Sequence, residues 1–178
     1  MPSDDARHRL ERAQAGFLRA LTGSAPSPPG FERSDVEAAA ESLASKRRRA
    51  VARTWPSLAR ALGDGFRERF DAFARQTPLP ARGGPLADGR AFIELLSREG
   101  PLPEAVSRQV LGVDLRFRRS GDGLVPRRGF SLVHGVLPAS GYRLLGIRWA
   151  GHGERWFRLP AGMAVPVVLG RRWSSQRS

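Results

Sequence analysis

The sequence predicts an α+β protein, in which an all-helical region is followed by a small antiparallel sheet. Two observations carry this prediction. Up to about residue 117, apolar residues recur at three- and four-residue steps, the spacing of one face of a helix. From about residue 130, β-branched and aromatic residues alternate with arginine, which is typical of strands. We therefore expect a helical domain over residues 1–118, a β-rich domain over 119–173 and a frayed tail over 174–178.

The helical domain is organised around an aromatic-proline pair. Ser34 is expected to begin the helix before it, because Ser34 and Glu37 have the spacing of a capping box, in which each side chain satisfies a free backbone amide. That helix is expected to end at Trp55, since Pro56 disfavours helical geometry in the residue before it and suits the first turn of a new helix. At such a junction the Trp55 ring can insert between helices.

Four more helices are expected after this junction. The first covers residues 57–62, and the next starts after Asp64. Asp88 is expected to open the third, and the fourth covers residues 103–117. The second of them carries aromatic residues at helical spacing, which more often indicates a core than a ligand site; these are Phe66, Phe70 and Phe73.

Three strands and one edge strand are expected in the β-rich domain. They cover residues 130–136, 142–149 and 155–159, with an edge strand over 162–169. A tight connection at residues 151–153 would join the second and third strands as a hairpin.

The expected hairpin has two chemically different faces. With residues 151–153 as the loop, Arg148 lies opposite Trp156, and Arg158 shares their face. The other face, which we expect to pack on the helices, carries Leu145, Ile147, Phe157 and Leu159. A cation beside an aromatic ring suits binding to a partner. We therefore expect Arg148, Trp156 and Arg158 to form a partner-binding surface; the alternative is a solvated cross-strand pair without a partner.

The net charge of +13 suggests a polyanionic partner. The candidate nucleic-acid contacts are Lys46, Arg47, Arg48 and Arg49, for which the alternative is a solvated helix end stabilised by the helix dipole. Of the 30 basic residues only Lys46 is lysine, and asparagine is absent, which is also typical of GC-rich coding. The charge alone therefore leaves nucleic-acid binding open.

No pattern in the sequence predicts catalysis. Cysteine is absent, and the three histidines, His8, His134 and His152, are not at metal-ligand spacing. His134 is expected in the core. Neither a phosphate-binding loop nor a nucleophile elbow is present, so a small hydrolase has only isolated His and Ser residues in its favour. We expect no catalytic residue, no cofactor and no stoichiometric metal.

The sequence also bears on localisation. No apolar run approaches the length of a membrane span, and the first residues lack the basic and apolar regions of a signal peptide. We therefore expect a cytoplasmic protein without a membrane partner.

Short motifs within residues 8–117 carry a family resemblance. They include Arg49-Ala50-Val51, Trp55-Pro56-Ser57-Leu58, Leu62-Gly63-Asp64-Gly65-Phe66, Thr77-Pro78 and Asp88-Gly89-Arg90-Ala91-Phe92. This stretch resembles the helical domain family catalogued as DNA-binding, whose members show a basic helix, an aromatic-proline turn and a Leu-Gly-x-x-Phe step. The family's aromatic-Arg-x-Asn step is replaced here by Ser45-Lys46-Arg47-Arg48.

The resemblance implies a function that composition does not. Members of that family accompany multinuclear non-haem iron oxidases that modify ribosomally made peptides, as in methanobactin biosynthesis. There the helical protein is similar to a docking subunit that binds the oxidase and the precursor peptide and holds no catalytic metal. We therefore expect a non-enzymatic accessory partner of an iron-dependent oxidase; the alternative is a DNA-binding transcriptional regulator.

Overall fold

The computed structural model describes residues 4–22, 26, 29–121, 123–137, 139–149 and 151–160. The helices within these residues are α1 Asp4–Leu21, α2 Arg33–Thr54, α3 Pro56–Leu62, α4 Gly65–Gln76, α5 Gly84–Glu99 and α6 Glu104–Arg116. The strands are β1 Phe117–Ser120, β2 Gly123–Pro126, β3 Ser131–Leu137, β4 Tyr142–Trp149 and β5 Gly153–Pro160. The predicted α+β class is confirmed, whereas the predicted edge strand over 162–169 and the tail lie outside the described residues.

Helices α2 to α6 enclose an aromatic core. Phe70 of α4 and Phe92 of α5 meet nearly perpendicularly, with ring centroids 5.2 Å apart, and Phe66 and Phe73 pack against them. All four rings are buried. The interpretation of the α4 phenylalanines as core residues is therefore confirmed.

The junction between α2 and α3 behaves as predicted. Pro56 is the first residue of α3, and Trp55 before it has a non-helical backbone, with φ at −121°. The Trp55 side chain is 0% exposed, and its Nε1 donates a hydrogen bond to Leu86 O at 3.2 Å. A buried indole with its one donor satisfied anchors α2, α3 and the start of α5 to each other.

The structure corrects the predicted capping box of α2 and the predicted start of α5. Helix α2 begins at Arg33, and Glu37 accepts a hydrogen bond from Arg33 Nε at 2.8 Å instead of closing a capping box with Ser34. Helix α5 begins at Gly84, one turn before Asp88, because Gly83 takes a left-handed conformation and Pro85 suits a first turn. Asp88 therefore lies inside α5, where it is buried.

Two antiparallel sheets follow the helices. Strands β1 and β2 form a hairpin that the sequence did not suggest, and strands β3, β4 and β5 form a meander in that order. Strand β4 has the predicted bounds, and β3 and β5 differ from prediction by one or two residues at each end. Helix α6 packs on β3 and β4, which joins the meander to the helices. Among the described helices, none has the length and apolar content needed to cross a bilayer.

Candidate binding surfaces

The basic run of α2 contains a buried structural arginine. Arg47 is 4% exposed, and its Nε and Nη2 donate hydrogen bonds to the two carboxylate oxygens of Asp88 at 2.9 and 2.7 Å. Its Nη1 donates to the carbonyl oxygens of Ala74 and Thr77, both at 2.8 Å. A bidentate pair with two further bonds satisfies a buried guanidinium and ties α2 to α4 and α5.

The candidate nucleic-acid surface on α2 is therefore smaller than the sequence suggested. Arg47 faces the core, and Arg48 pairs with Asp71 of α4. Lys46 and Arg49 remain exposed, together with Arg53 one turn later. Of the four predicted contacts, the structure leaves Lys46 and Arg49 free to meet a polyanion, and the assignment of Arg47 to that surface is wrong.

The β4–β5 hairpin has a different register from the predicted one. Trp149 pairs with Gly153, so the loop lies one residue earlier than expected and every pairing shifts by two residues. Arg148 consequently lies opposite Glu154, while Gly146 lies opposite Trp156. Because side chains alternate with a period of two, a shift of two keeps the predicted groups of residues on common faces.

The face that carries Arg148, Trp156 and Arg158 is expected from the sequence to meet solvent, but in the structure it packs on α6. We call it the inner face. Its Ser131 Oγ donates to Leu115 O of α6 at 2.7 Å, and its Glu154 accepts from Arg116 Nε at 2.5 Å and Nη2 at 2.9 Å. At Gly135, a Cβ would lie 2.9 Å from the Leu111 side chain, so a glycine is needed for α6 to approach the sheet this closely. The prediction that Leu145, Ile147, Phe157 and Leu159 pack on the helices is therefore wrong.

The predicted partner-binding residues lie on this inner face. Arg148 is half-buried, and its Nη1 donates to Arg127 O at 3.2 Å. The Trp156 ring lies across Gly146, where a Cβ would collide with it, and remains 39% exposed. Arg158 is exposed beyond Trp156. The structure thus brings the three residues to one face but does not present Arg148 and Trp156 together to solvent.

The opposite face of the meander, which we call the outer face, is exposed and apolar. Val136 is 55% exposed, Phe157 44% and Trp149 62%. The Trp149 ring meets Phe130 edge-to-face, with centroids 6.0 Å apart. Half-buried aliphatic side chains fill the spaces between these residues; they are Leu132, Leu145, Ile147 and Leu159. A contiguous apolar surface of this kind is typical of an interaction site.

The charges on the outer face all have one sign. Arg143 and Arg155 belong to this face, and no Asp or Glu does among its described strand residues. Arg143 Nε is buried and makes no hydrogen bond within the described residues. His134 also lies on this face and is exposed, so its predicted core position is wrong. The face therefore combines apolar side chains with cations, and no Asp or Glu of its described strands faces them.

Two glutamates, one on the inner face and one on α6, form ion pairs with arginines of α6. The hydrogen bond from Arg116 lowers the pKa of the Glu154 carboxyl below its ordinary value, and the same bond raises the pKa of Arg116. At the other end of α6, the hydrogen bond from Arg108 lowers the pKa of Glu104, to which Arg158 adds a smaller Coulombic effect. The Arg116–Glu154 pair thus links the sheet to α6.

Two shallow depressions lie on the helical region. One, of about 330 Å³, is bordered by Arg48, Arg49, Asp64 and Arg67. The other, of about 280 Å³, is an apolar groove between α3, α5 and α6, with the Arg69–Glu99 ion pair at its edge. In the described part of the chain, no group of three or more His, Cys, Asp or Glu residues converges as a metal site would require.

Two comparisons relate this chain to known proteins. The family model described as SCO6045-like, C-terminal domain, matches residues 11–98, from α1 to near the end of α5. A UPF0276 protein of Streptomyces avermitilis is 38% identical over 120 residues, which are 67% of this chain and 24% of that relative. The chain thus aligns with about a quarter of the relative's length. No solved structure is significantly similar to it.

The burial of Arg47 and the choice of the inner face each have a signal in the sequence. Arg47 follows Ala44 by three residues and precedes Val51 by four, so it lies on the buried stripe of α2. In the meander, Gly135 and Gly146 fall on one face, where the first permits the close approach of α6 and the second that of the Trp156 ring.

Proposed function

We propose that this chain is a non-enzymatic docking module, and that its partner is an iron-dependent oxidase that modifies a ribosomally made precursor peptide. The observation that carries the docking role is the exposed apolar outer face of the meander, with Trp149 62% exposed beside Phe130. Such a face gains stability when another polypeptide covers it. The identity of the partner rests on the family resemblance of the helical region.

The arrangement of the relative supports a docking role. The Streptomyces avermitilis protein has about three quarters of its length outside the region similar to this chain. When a module is covalently joined to a longer chain, the rest of that chain is present at a high effective concentration. A weak contact between the two parts can then be populated. The part of that relative outside the similar region is therefore a second bait, beside the oxidase.

The test is reconstitution with a multinuclear non-haem iron oxidase and the precursor peptide that it modifies. We expect the oxidase and the chain to co-elute in size-exclusion chromatography, and the precursor peptide to be modified only when both are present. The chain alone should leave the peptide unchanged. Full oxidase activity without the chain, together with separate elution, would contradict the proposal.

Two tryptophans locate the contact. Trp149→Ala removes the most exposed ring of the outer face, whereas Trp156→Ala removes the ring that was predicted from the sequence and lies over Gly146. We expect Trp149→Ala to weaken oxidase capture more than Trp156→Ala, because more of its surface is available to a partner. The reverse order would return the contact to Arg148, Trp156 and Arg158.

A DNA-binding regulator is the second candidate, and the exposed stripe of Lys46, Arg49 and Arg53 favours it. Contacts of these three cations with phosphates should weaken steeply with salt because of counterion release. We expect DNA binding at low salt to collapse near physiological salt without sequence preference. Tight, sequence-selective binding that survives that salt, without oxidase capture, would favour the regulator instead.

A further inference from the structure

We propose that the outer face of the meander binds an acidic amphipathic helix of its partner. This inference rests on the proposed docking role and specifies the chemistry of the partner. Helix α6 already packs on the inner face, so the same three strands would lie between two helices.

The positive charges of the outer face indicate that the partner's contact surface is negatively charged. Arg143 and Arg155 stand among apolar residues, and no Asp or Glu lies on the described strands of this face. The Arg143 Nε is buried without an acceptor within the described residues. An unmatched guanidinium gains a charge-assisted hydrogen bond when a carboxylate reaches it. A partner with carboxylates beside apolar side chains is therefore complementary to this surface.

The dimensions of the face suit a helix. Three strands spaced by about 4.8 Å place the outer strand axes about 10 Å apart. That width matches the diameter of a helix with its side chains, about 10–12 Å. Strand β4 has eight residues, so the face is about 27 Å long at about 3.4 Å per residue. A helix of about 18 residues, at about 1.5 Å per residue, covers this length.

The composition of the face favours a polypeptide over a nucleic acid. Bases stack on aromatic rings whose faces are open. Phe130 and Trp149 instead meet edge-to-face at an interplanar angle of 82°, and five aliphatic residues lie on the same face: Leu132, Val136, Leu145, Ile147 and Leu159. Aliphatic side chains pack against the apolar stripe of a helix and offer no stacking surface to a base.

The probe is a synthetic 18-residue peptide with leucines along one helical face and glutamates elsewhere, carrying a fluorescent label. Its two controls are a peptide of the same composition with the leucines redistributed, and one with lysine in place of glutamate. Anisotropy is measured with the full chain at near-physiological salt. We expect the acidic amphipathic peptide to bind at least about tenfold more tightly than either control, since each control loses one of the two complementary features.

Two arginines of β5 provide matched variants. Arg155→Glu reverses a charge on the outer face, and Arg158→Glu reverses one on the inner face of the same strand. We expect Arg155→Glu to weaken peptide binding about tenfold or more and Arg158→Glu to leave it within about threefold, because only the first alters the complementary surface. Circular dichroism melts verify that both variants fold, and Trp149→Ala provides an uncharged test of the same face.

The possible outcomes separate this inference from the proposed function. Equal effects of the two arginine variants, or equal binding of the redistributed peptide, overturn the inference. The inference is also overturned if the peptide does not bind and Arg155 instead mediates binding of a uridine oligonucleotide, of anionic vesicles or of a second copy of the chain. If the oxidase is captured equally by wild type and Arg155→Glu, the docking function stands and this site for it fails. If the peptide binds as expected and no oxidase is captured, the surface stands and the identity of the partner fails.

Discussion

The helical region and the meander satisfy their side chains in different ways. In the helices, the aromatic rings pack on each other, and the buried Arg47 and Arg90 form ion pairs with Asp88 and Asp114. In the meander, one face is linked to α6 through the Arg116–Glu154 pair, while the other exposes Trp149 and carries two arginines with no Asp or Glu on its described strands. The difference shows that apolar content alone does not indicate a core.

Similar substitutions in the helical core and on the outer face are therefore expected to have opposite effects on stability and on binding. A residue whose partners belong to the chain should affect the free energy of unfolding when it is changed. A residue whose partner is another molecule should affect binding and leave unfolding almost unaltered. The predictions below test this separation, in order of decreasing effect on stability.

The largest effect is expected at the α2–α3 junction. Trp55→Ala removes a fully buried indole and its hydrogen bond to Leu86 O, so we expect a loss of about 3–5 kcal/mol in the free energy of unfolding. Urea denaturation of both proteins measures it. The control is Trp149→Ala, which we expect to stay within about 0.5–1 kcal/mol because most of that ring is exposed. A small change at Trp55 would mean that the helical core is not assembled around it.

The two faces of β3 can be compared at adjacent residues. Leu137→Ala truncates an inner-face side chain that is 0% exposed, and we expect a loss of about 2–4 kcal/mol in the free energy of unfolding. Val136→Ala truncates its neighbour on the outer face, and we expect less than about 0.5 kcal/mol. The two variants differ by one position in the chain and by the face they occupy. Thermal melts that showed equal losses would indicate that the outer face is covered in the free protein.

Within the basic run, Arg47→Lys tests whether the arginine is structural. Lysine keeps the charge but cannot form the bidentate pair with Asp88 while also reaching Ala74 O and Thr77 O. We expect a loss of about 2–3 kcal/mol in the free energy of unfolding, from weakened hydrogen bonds of a buried charge. Arg49→Lys, two residues away and exposed, should change stability by less than about 0.5 kcal/mol. Equal behaviour of the two variants in denaturant would contradict the buried pair.

Much of the fold could be predicted because its signals are periodic. The helical spacing located α2 to α6, and the alternation of residues gave β4 its bounds. The β1–β2 hairpin was missed because two four-residue strands are too short for alternation to stand out. The start of α5 was misplaced because Asp88 resembles a helix cap in sequence. In the structure its carboxylate instead accepts hydrogen bonds from Arg47, which lies 41 positions earlier in the chain.

The candidate surface was less accessible to sequence reasoning. Alternation correctly grouped Arg148, Trp156 and Arg158 on one face and Ile147 with Phe157 on the other, even though the register was displaced by two residues. It could not decide which face meets α6, because that choice depends on packing between distant segments. Polarity suggested the wrong answer, since an apolar face is usually the buried one.

The smallest effect concerns the attachment of the inner face to α6. The hydrogen bond from Arg116 lowers the pKa of Glu154 below its ordinary value of 4.5, so the pair stabilises the folded state above that pH. Its contribution should be lost as the pH falls below about 4.5 and through the lowered pKa of the folded state.

Because the Arg116 side chain is 59% exposed, solvent screens the pair, and we expect it to contribute less than about 1 kcal/mol to the free energy of unfolding. Glu154→Gln should therefore be slightly less stable than wild type at pH 7. The difference should narrow as the pH falls from 7 to 3, because the carboxyl of the unfolded chain becomes protonated below about 4.5. The measurement is the difference in unfolding midpoint between the two proteins at each pH, with Arg155→Gln as a control whose difference should not vary with pH in the same way. A gap that stays constant from pH 7 to pH 3 would mean that Glu154 contributes through packing and not through its charge.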